Sequence, residues 1–296
     1  MPHIGFIGLG NMGGPMAANL VKAGEHVAGF DVVPASREGS ARDGVEIVAN
    51  ARSCVENADV VITMLPAGEH VISVWKDVLP AAKKGALFID CSTIDVASAR
   101  AAHKLAAERG IATLDAPVSG GVGGARAATL TFMVGGSTHA FERGKPVLER
   151  MGKRIVHCGE AGNGQVAKIC NNMILGISMI GVSEAFVLGE KLGLSHQALF
   201  DVASASSGQC WSLTSYCPVP GPVPASPANN GYKPGFAAAL MLKDLKLARE
   251  AAESVEAKTA LGAHAAEIYD LFAQQGQGMS DFSGIINFVR GRSGKS

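Results

Sequence analysis

Lys168 heads the residues whose type and spacing could do chemistry. It lies in GNGQVAKICNN at 162–172, where Gly164, Lys168 and Asn172 follow one another at steps of four. On a helix that spacing puts bare backbone, an ammonium and a carboxamide in a row on one face. An amine so placed can take or give a proton, and the carboxamide one turn on can hold the group that supplies it. The ordinary alternative is a lysine snorkelling to water and an asparagine satisfying a nearby carbonyl. What surrounds the pair must decide between them.

A second candidate stands at the chain start, where the apolar run at 3–8 leads into Gly8-Leu9-Gly10-Asn11-Met12-Gly13 and then a helical pattern. The first glycine permits a tight turn, the second lets backbone approach a pyrophosphate, and the third allows close packing of helix on strand. Glycine-rich turns are common, so the flanking strand and helix carry the reading. The next strand, His26 to Phe30, ends at Asp31, where a carboxylate would accept from an adenosine ribose and repel a 2′-phosphate. NAD is therefore expected over NADP.

Apolar runs at 58–65 and 86–90 have the composition of strands buried on both faces of a parallel sheet. Ligands of such sheets bind beyond the carboxyl ends of the strands, which puts Leu65, Pro66 and Thr93 on the cofactor path. Pro66 as a mere strand stop is the plainer reading. After the strand at 111–116 comes Pro117-Val118-Ser119-Gly120-Gly121-Val122-Gly123-Gly124. Successive backbone N–H groups turned inward there, beside the Ser119 hydroxyl, would make a nest for a substrate carboxylate, and a plain glycine turn would read the same. Further on, 206–235 holds six of the 13 prolines together with Trp211. A segment of that length is usually functional or a linker. A loop folded over the active site is the favoured expectation, with Trp211 as a wall of the substrate pocket. Lys243, beside Asp244 on an apolar helical pattern, reads by itself as part of a solvated stripe.

The elements that must position these groups fall into two halves. Strands alternate with helices up to a strand at 154–158, and Glu160 to Gly164 forms a glycine-rich hinge. From Gly162 to Gly193 the pattern is that of one long, mostly buried helix; beyond it strand signals give way to helices at 195–205, 236–252 and 256–275. The expected architecture is an α/β Rossmann-type doubly wound sheet at residues 1–162 and an all-α substrate and oligomerisation domain at 163–296, joined by the long helix.

Composition narrows the function classes. With 26 basic and 26 acidic residues and no basic run, the chain is no natural nucleic-acid binder. The start Met1-Pro2-His3-Ile4 lacks the regions of a signal peptide, so a cytoplasmic protein is expected. The uncharged stretch Ile169 to Ser183 is short for a span and contains two asparagines, so it reads as core rather than membrane. Six dispersed cysteines without a C-x-x-C read as reduced thiols, and no histidine pairs at zinc-like spacing, so no metal is expected.

Taken together, GFIGLGNMG, the strand end at Asp31, MLP at 64–66, CST at 91–93, DAPVSGG at 115–121, GNGQVAKICNN at 162–172 and LKDL at 242–245 resemble the β-hydroxyacid dehydrogenases over nearly the whole chain. The resemblance implies NAD on the Rossmann half and a small hydroxyacid substrate. It implies Lys168 as the catalytic group and substrate contacts from Ser119, Gly120, Gly121 and Asn172. Lys243 would lie near nicotinamide and substrate, and a homodimer or homotetramer would form through the helical half. The proline-rich PVPGPVPASPANN at 218–230 departs from the resemblance, and its extra prolines reshape the expected pocket wall. Within the family, serine, glycerate or tartronate semialdehyde, and 4-hydroxybutyrate or succinic semialdehyde are alternative substrates; outside it, a dinucleotide-sensing protein without chemistry and a phosphosugar dehydrogenase are the alternatives. The site loops lack the arginines that a phosphosugar dehydrogenase would need.

Overall fold

The computed structural model describes residues 3–291, so Met1 and Pro2 of the chain start lie outside the described residues, as do 292–296. Two compact units divide inside the long helix, as Met1–Lys168 and Ile169–Ser296.

The first unit is built on nine strands: β1 (His3–Ile7), β2 (His26–Phe30), β3 (Glu46–Ile47), β4 (Val60–Thr63), β5 (Leu87–Asp90), β6 (Ala112–Asp115), β7 (Val118–Ser119), β8 (Leu130–Gly135) and β9 (Gly152–Gly159). Their order is β3-β2-β1-β4-β5-β6-β8-β7, with β9 paired to β8. The pairings from β3 to β6 are parallel, whereas β8 runs antiparallel to β6 and β7. The order from β3 to β6 is that of a dinucleotide-binding sheet. Each central strand feeds both faces, as the period of two requires. Ile4, Phe6, Val60, Ile62, Leu87 and Ile89 pack in one core, and Ile7, Val61 and Phe88 in the other. Such two-sided burial is why these strands read as continuous apolar runs.

The structure corrects two expectations. The segment at 117–124 is more than a loop: Val118–Ser119 pairs with β8, and a short helix runs over Gly121–Arg126. Strand β7 is too short to show a period, which hid it in the sequence. The long helix, Asn163–Lys191, is real but not mostly buried. It is long and apolar enough to cross a membrane by length and composition, yet 39% of its most apolar window is buried, and Ile174 and Leu188 are exposed. Composition reports how apolar a helix is, not how many of its faces find a partner.

In the second unit the long helix is followed by helices His196–Ser204, Trp211–Thr214, Ala238–Ser254, Ala260–Phe272 and Ile285–Val289. One core gathers Met179, Ile180, Met241, Leu245, Tyr269, Phe272, Phe282 and Ile285. Gly176 lets the helices close up, since a Cβ there would meet Leu245 at 3.1 Å. A smaller cluster joins Phe186 and Val187 to Leu213, Cys217, Val219 and Ile286, which gives the proline-rich segment an ordered interior. Ser226 Oγ donates to Cys217 O at 2.6 Å within it.

Candidate functional site

The glycine loop after β1 has the form a dinucleotide needs. Gly8 adopts φ +97°, and a Cβ there would stand 2.2 Å from Met64 O. A Cβ on Gly13 would stand 1.8 Å from Gly8 O, so the helix Gly13–Lys22 starts pressed against the strand end. Gly10 faces open space, where backbone can approach a phosphate. The Asp31 carboxylate takes Leu9 N–H on Oδ2 and Val33 N–H on Oδ1, each at 2.7 Å. Lone pairs remain on both oxygens for hydroxyl donors. Arg37 donates from Nη1 to Asp31 O at 2.6 Å, and its guanidinium carbon lies 5.9 Å from the Phe30 ring centre. Its charge is thus tethered to the main chain.

Beyond β4 and β5 a polar network links the loops of Leu65 and Thr93. Leu65 N–H donates to Ser92 Oγ at 2.8 Å, and Ser92 Oγ donates to Asp90 Oδ1 at 2.6 Å. Thr63 Oγ1 donates to the same Asp90 oxygen at 2.7 Å and accepts Trp75 Nε1–H at 3.3 Å. Asp90 Oδ2 is buried without a partner. Burial pushes the Asp90 carboxyl up to about 6, against the pull of its hydrogen bonds to Ser92 and Thr63. Sequence reasoning did not single out Asp90, although its place at a strand's carboxyl end was a signal.

The Ser119 region carries the left-handed backbone that a nest requires, with φ +132° at Gly120 and +60° at Gly121. Ser119 and Gly121 are half-buried and Gly120 is exposed.

The start of the lysine helix is bound to the sheet by Asp115, a residue at the end of β6 that the sequence offered only as part of a motif. Asp115 Oδ1 accepts Gly162 N–H at 2.8 Å, and Oδ2 accepts Gln165 N–H at 3.0 Å. A carboxylate on the free N–H groups of a helix start also interacts favourably with the positive end of the helix dipole. His103 Nε2 lies 2.9 Å from Asp115 Oδ1, and its Nδ1 lies 2.6 Å from Thr113 Oγ1. A Cβ on Gly164 would stand 2.4 Å from Met133 O, so only glycine allows this approach of helix to sheet. Lys168, one turn further, is 6% exposed. That burial departs from the snorkelling alternative, which needs the head in water.

In the second unit, Asn172 is 2% exposed and donates from Nδ2 to Asp244 Oδ2 at 2.5 Å, while its Oδ1 accepts Asn171 Nδ2–H at 2.9 Å. The structure thereby brings Asn172 against the helix that carries Lys243, which is half-buried. Asp244 was passed over in the sequence in favour of its neighbour. Trp211 is 52% exposed and stacks on Tyr216, with ring centres 4.8 Å apart. Burial and the nearby Asp281 carboxylate push the Tyr216 phenol up, so it stays a donor.

Comparison with known proteins agrees with this layout. Residues 3–159 match the family model of the NAD-binding domain of 6-phosphogluconate dehydrogenase, and 162–289 match that described as the NAD-binding of NADP-dependent 3-hydroxyisobutyrate dehydrogenase. A probable 3-hydroxyisobutyrate dehydrogenase of Mycobacterium bovis is 55% identical over 99% of both chains. The chain belongs to the β-hydroxyacid dehydrogenase family. A solved 3-hydroxyisobutyrate dehydrogenase of Mycobacterium tuberculosis, described with L-serine, superposes with TM-score 0.96 at 56% identity, covering 98% of this chain and 99% of that one. An NAD-dependent L-serine dehydrogenase of Pseudomonas aeruginosa is 48% identical over 96% of both. This β-hydroxyacid dehydrogenase is thus an oxidoreductase acting on a CH–OH group with a nicotinamide dinucleotide.

Proposed function

We propose that this enzyme oxidises 3-hydroxyisobutyrate to methylmalonate semialdehyde with NAD, with Lys168 as the general acid/base. The observation that carries the mechanism is a lysine buried to 6% exposure on a helix whose start is fixed to the cofactor sheet. Bound NAD supplies the acceptor for the substrate's hydride. The residues Gly8 to Gly13 would hold its pyrophosphate, Asp31 its adenosine ribose, and Leu65, Pro66 and Thr93 the path toward the nicotinamide.

The neutral Lys168 amine accepts the hydroxyl proton, and in the reverse direction its ammonium returns a proton to the carbonyl oxygen. Asn172, its carboxamide fixed by Asp244 and Asn171, holds the hydroxyl in register one turn further along. Ser119, Gly120 and Gly121 bind the carboxylate, Lys243 completes the charged end of the site, and Trp211 forms a wall for the rest of the substrate. The Asp31 carboxylate disfavours a 2′-phosphate, which makes NAD the preferred cofactor.

Valine degradation in the cytoplasm is the setting this reaction fits. A homodimer or homotetramer through the helical unit accords with its apolar surface: Ile174, Leu188, Leu192 and Val202 are exposed, and the helix His196–Ser204 has no buried residue. Serine is the second reading, favoured by the relative and the solved structure that carry its name. Steady-state rates on 3-hydroxyisobutyrate, serine, glycerate and 4-hydroxybutyrate, each with NAD and NADP, test both. Highest kcat/KM on 3-hydroxyisobutyrate with NAD supports the proposal, and highest kcat/KM on serine replaces it.

A further inference from the structure

We infer that Gln165 is a positioning residue, which sets the Ser92–Ile94 loop against the helical turn that carries Lys168. The inference rests on the reading of Lys168 and Thr93 as parts of one hydride-transfer site. Gln165 is fully buried and precedes Lys168 by three residues on the same helix. Its Oε1 accepts Ile94 N–H at 3.1 Å and its Nε2 donates to Ser92 O at 2.8 Å, so one carboxamide brackets Thr93 from both sides. Only a group with a donor and an acceptor on one terminus makes both bonds.

Both ends of this bridge are themselves fixed. The Gln165 main-chain N–H donates to Asp115, which stops the helix start from turning or sliding. Ser92 is held from the other side, through its hydroxyl, by Asp90 and by Leu65 N–H. The Leu65 loop, the Thr93 loop and the Lys168 turn are therefore connected through the buried side chains of Ser92 and Gln165, and Gln165 is the link that joins the two loops to the helix. A buried donor or acceptor left without its partner is costly, so the loop has one low-energy register against the helix. Hydride transfer is sensitive to displacements of about 1 Å, which can cost on the order of 10²-fold in rate.

Gln165→Met removes both bonds at similar volume. Gln165→Glu keeps the shape and the acceptor for Ile94 but turns an oxygen toward Ser92 O. In both variants the single-turnover rate of hydride transfer from hydroxyacid to NAD, normalised to the number of sites that bind NADH so that unfolded protein does not count, should fall about 10–100-fold, with hydroxyacid KM changed less than about threefold. The Ile94 amide, followed by hydrogen exchange without cofactor, should exchange at least about tenfold faster in Gln165→Met. Transfer per NADH-binding site at the wild-type rate, or unchanged Ile94 exchange, overturns the inference. So does a failure of both variants to fold, since Gln165 would then be structural. If the wild type itself transfers no hydride, the functional reading fails, while Ile94 exchange still judges the bridge.

Discussion

Asp90 in the first unit and Asp281 in the second are both buried carboxylates, and their surroundings treat them in opposite ways. Asp281 takes Ser283 N–H and Ser283 Oγ–H on one oxygen, and Tyr216 Oη–H, Gly235 N–H and Phe236 N–H on the other. It ties the two ends of the proline-rich segment to the chain's last turns. Asp90 has donors on one oxygen only, and the other is buried without a partner. Full satisfaction makes a carboxylate a clamp, and one-sided satisfaction makes it a stored cost. The clamp lies where shape must be kept, and the cost lies beside the loops assigned to the cofactor. The contrast separates a carboxylate that holds shape from one that stores a cost.

The largest expected effect tests the chemical side. Lys168→Ala should lower kcat by about 10²–10⁴-fold while NADH binding survives, the usual loss for a general acid/base. Lys168→Arg should not rescue it, because a guanidinium stays protonated. An alanine variant that binds NADH and keeps near wild-type kcat would remove Lys168 from the mechanism.

Asp281→Ala tests the other side. It strands several buried donors at roughly 1–3 kcal/mol each, so a total near 3–4 kcal/mol is expected after relaxation. Urea unfolding reads the loss. A change below about 1 kcal/mol would mean that the clamp holds little.

Asp90 makes the comparison a matter of pH. Its carboxyl is raised from the usual 3.8 to about 6. Between those values the folded protein keeps a proton that the unfolded chain has lost, so this group's contribution falls as pH rises and its full penalty is present above about pH 6. Two pKa units correspond to about 3 kcal/mol. Asp90→Asn keeps an acceptor for Thr63 and Ser92 and should remove that slope. Stability of wild type and variant at pH 4, 5 and 7 checks it, and parallel curves would show that Asp90 is ionised in both states alike.

The smallest effect concerns cofactor choice. Asp31→Asn should narrow the preference for NAD over NADP by roughly tenfold in kcat/KM, about 1.4 kcal/mol. A wild type that prefers NADP would end this reading of the strand end.

The sequence by itself determined whatever depends on near neighbours along the chain. Continuous apolar runs placed the central strands, glycines at fixed offsets placed the dinucleotide turn, and the four-residue spacing put Lys168 and Asn172 on one helix face. These are properties of a strand, a turn and a helix taken singly. Only the tertiary structure decided which groups meet across long separations. Asp115 reaches Gly162 and Gln165 over 47 and 50 residues, Gln165 reaches Ser92 over 73, and Asn172 reaches Asp244 over 72. It also decided that the long helix leaves Ile174 and Leu188 exposed. A buried polar atom takes whichever partner the fold brings within about 3 Å, and no local pattern names that partner in advance.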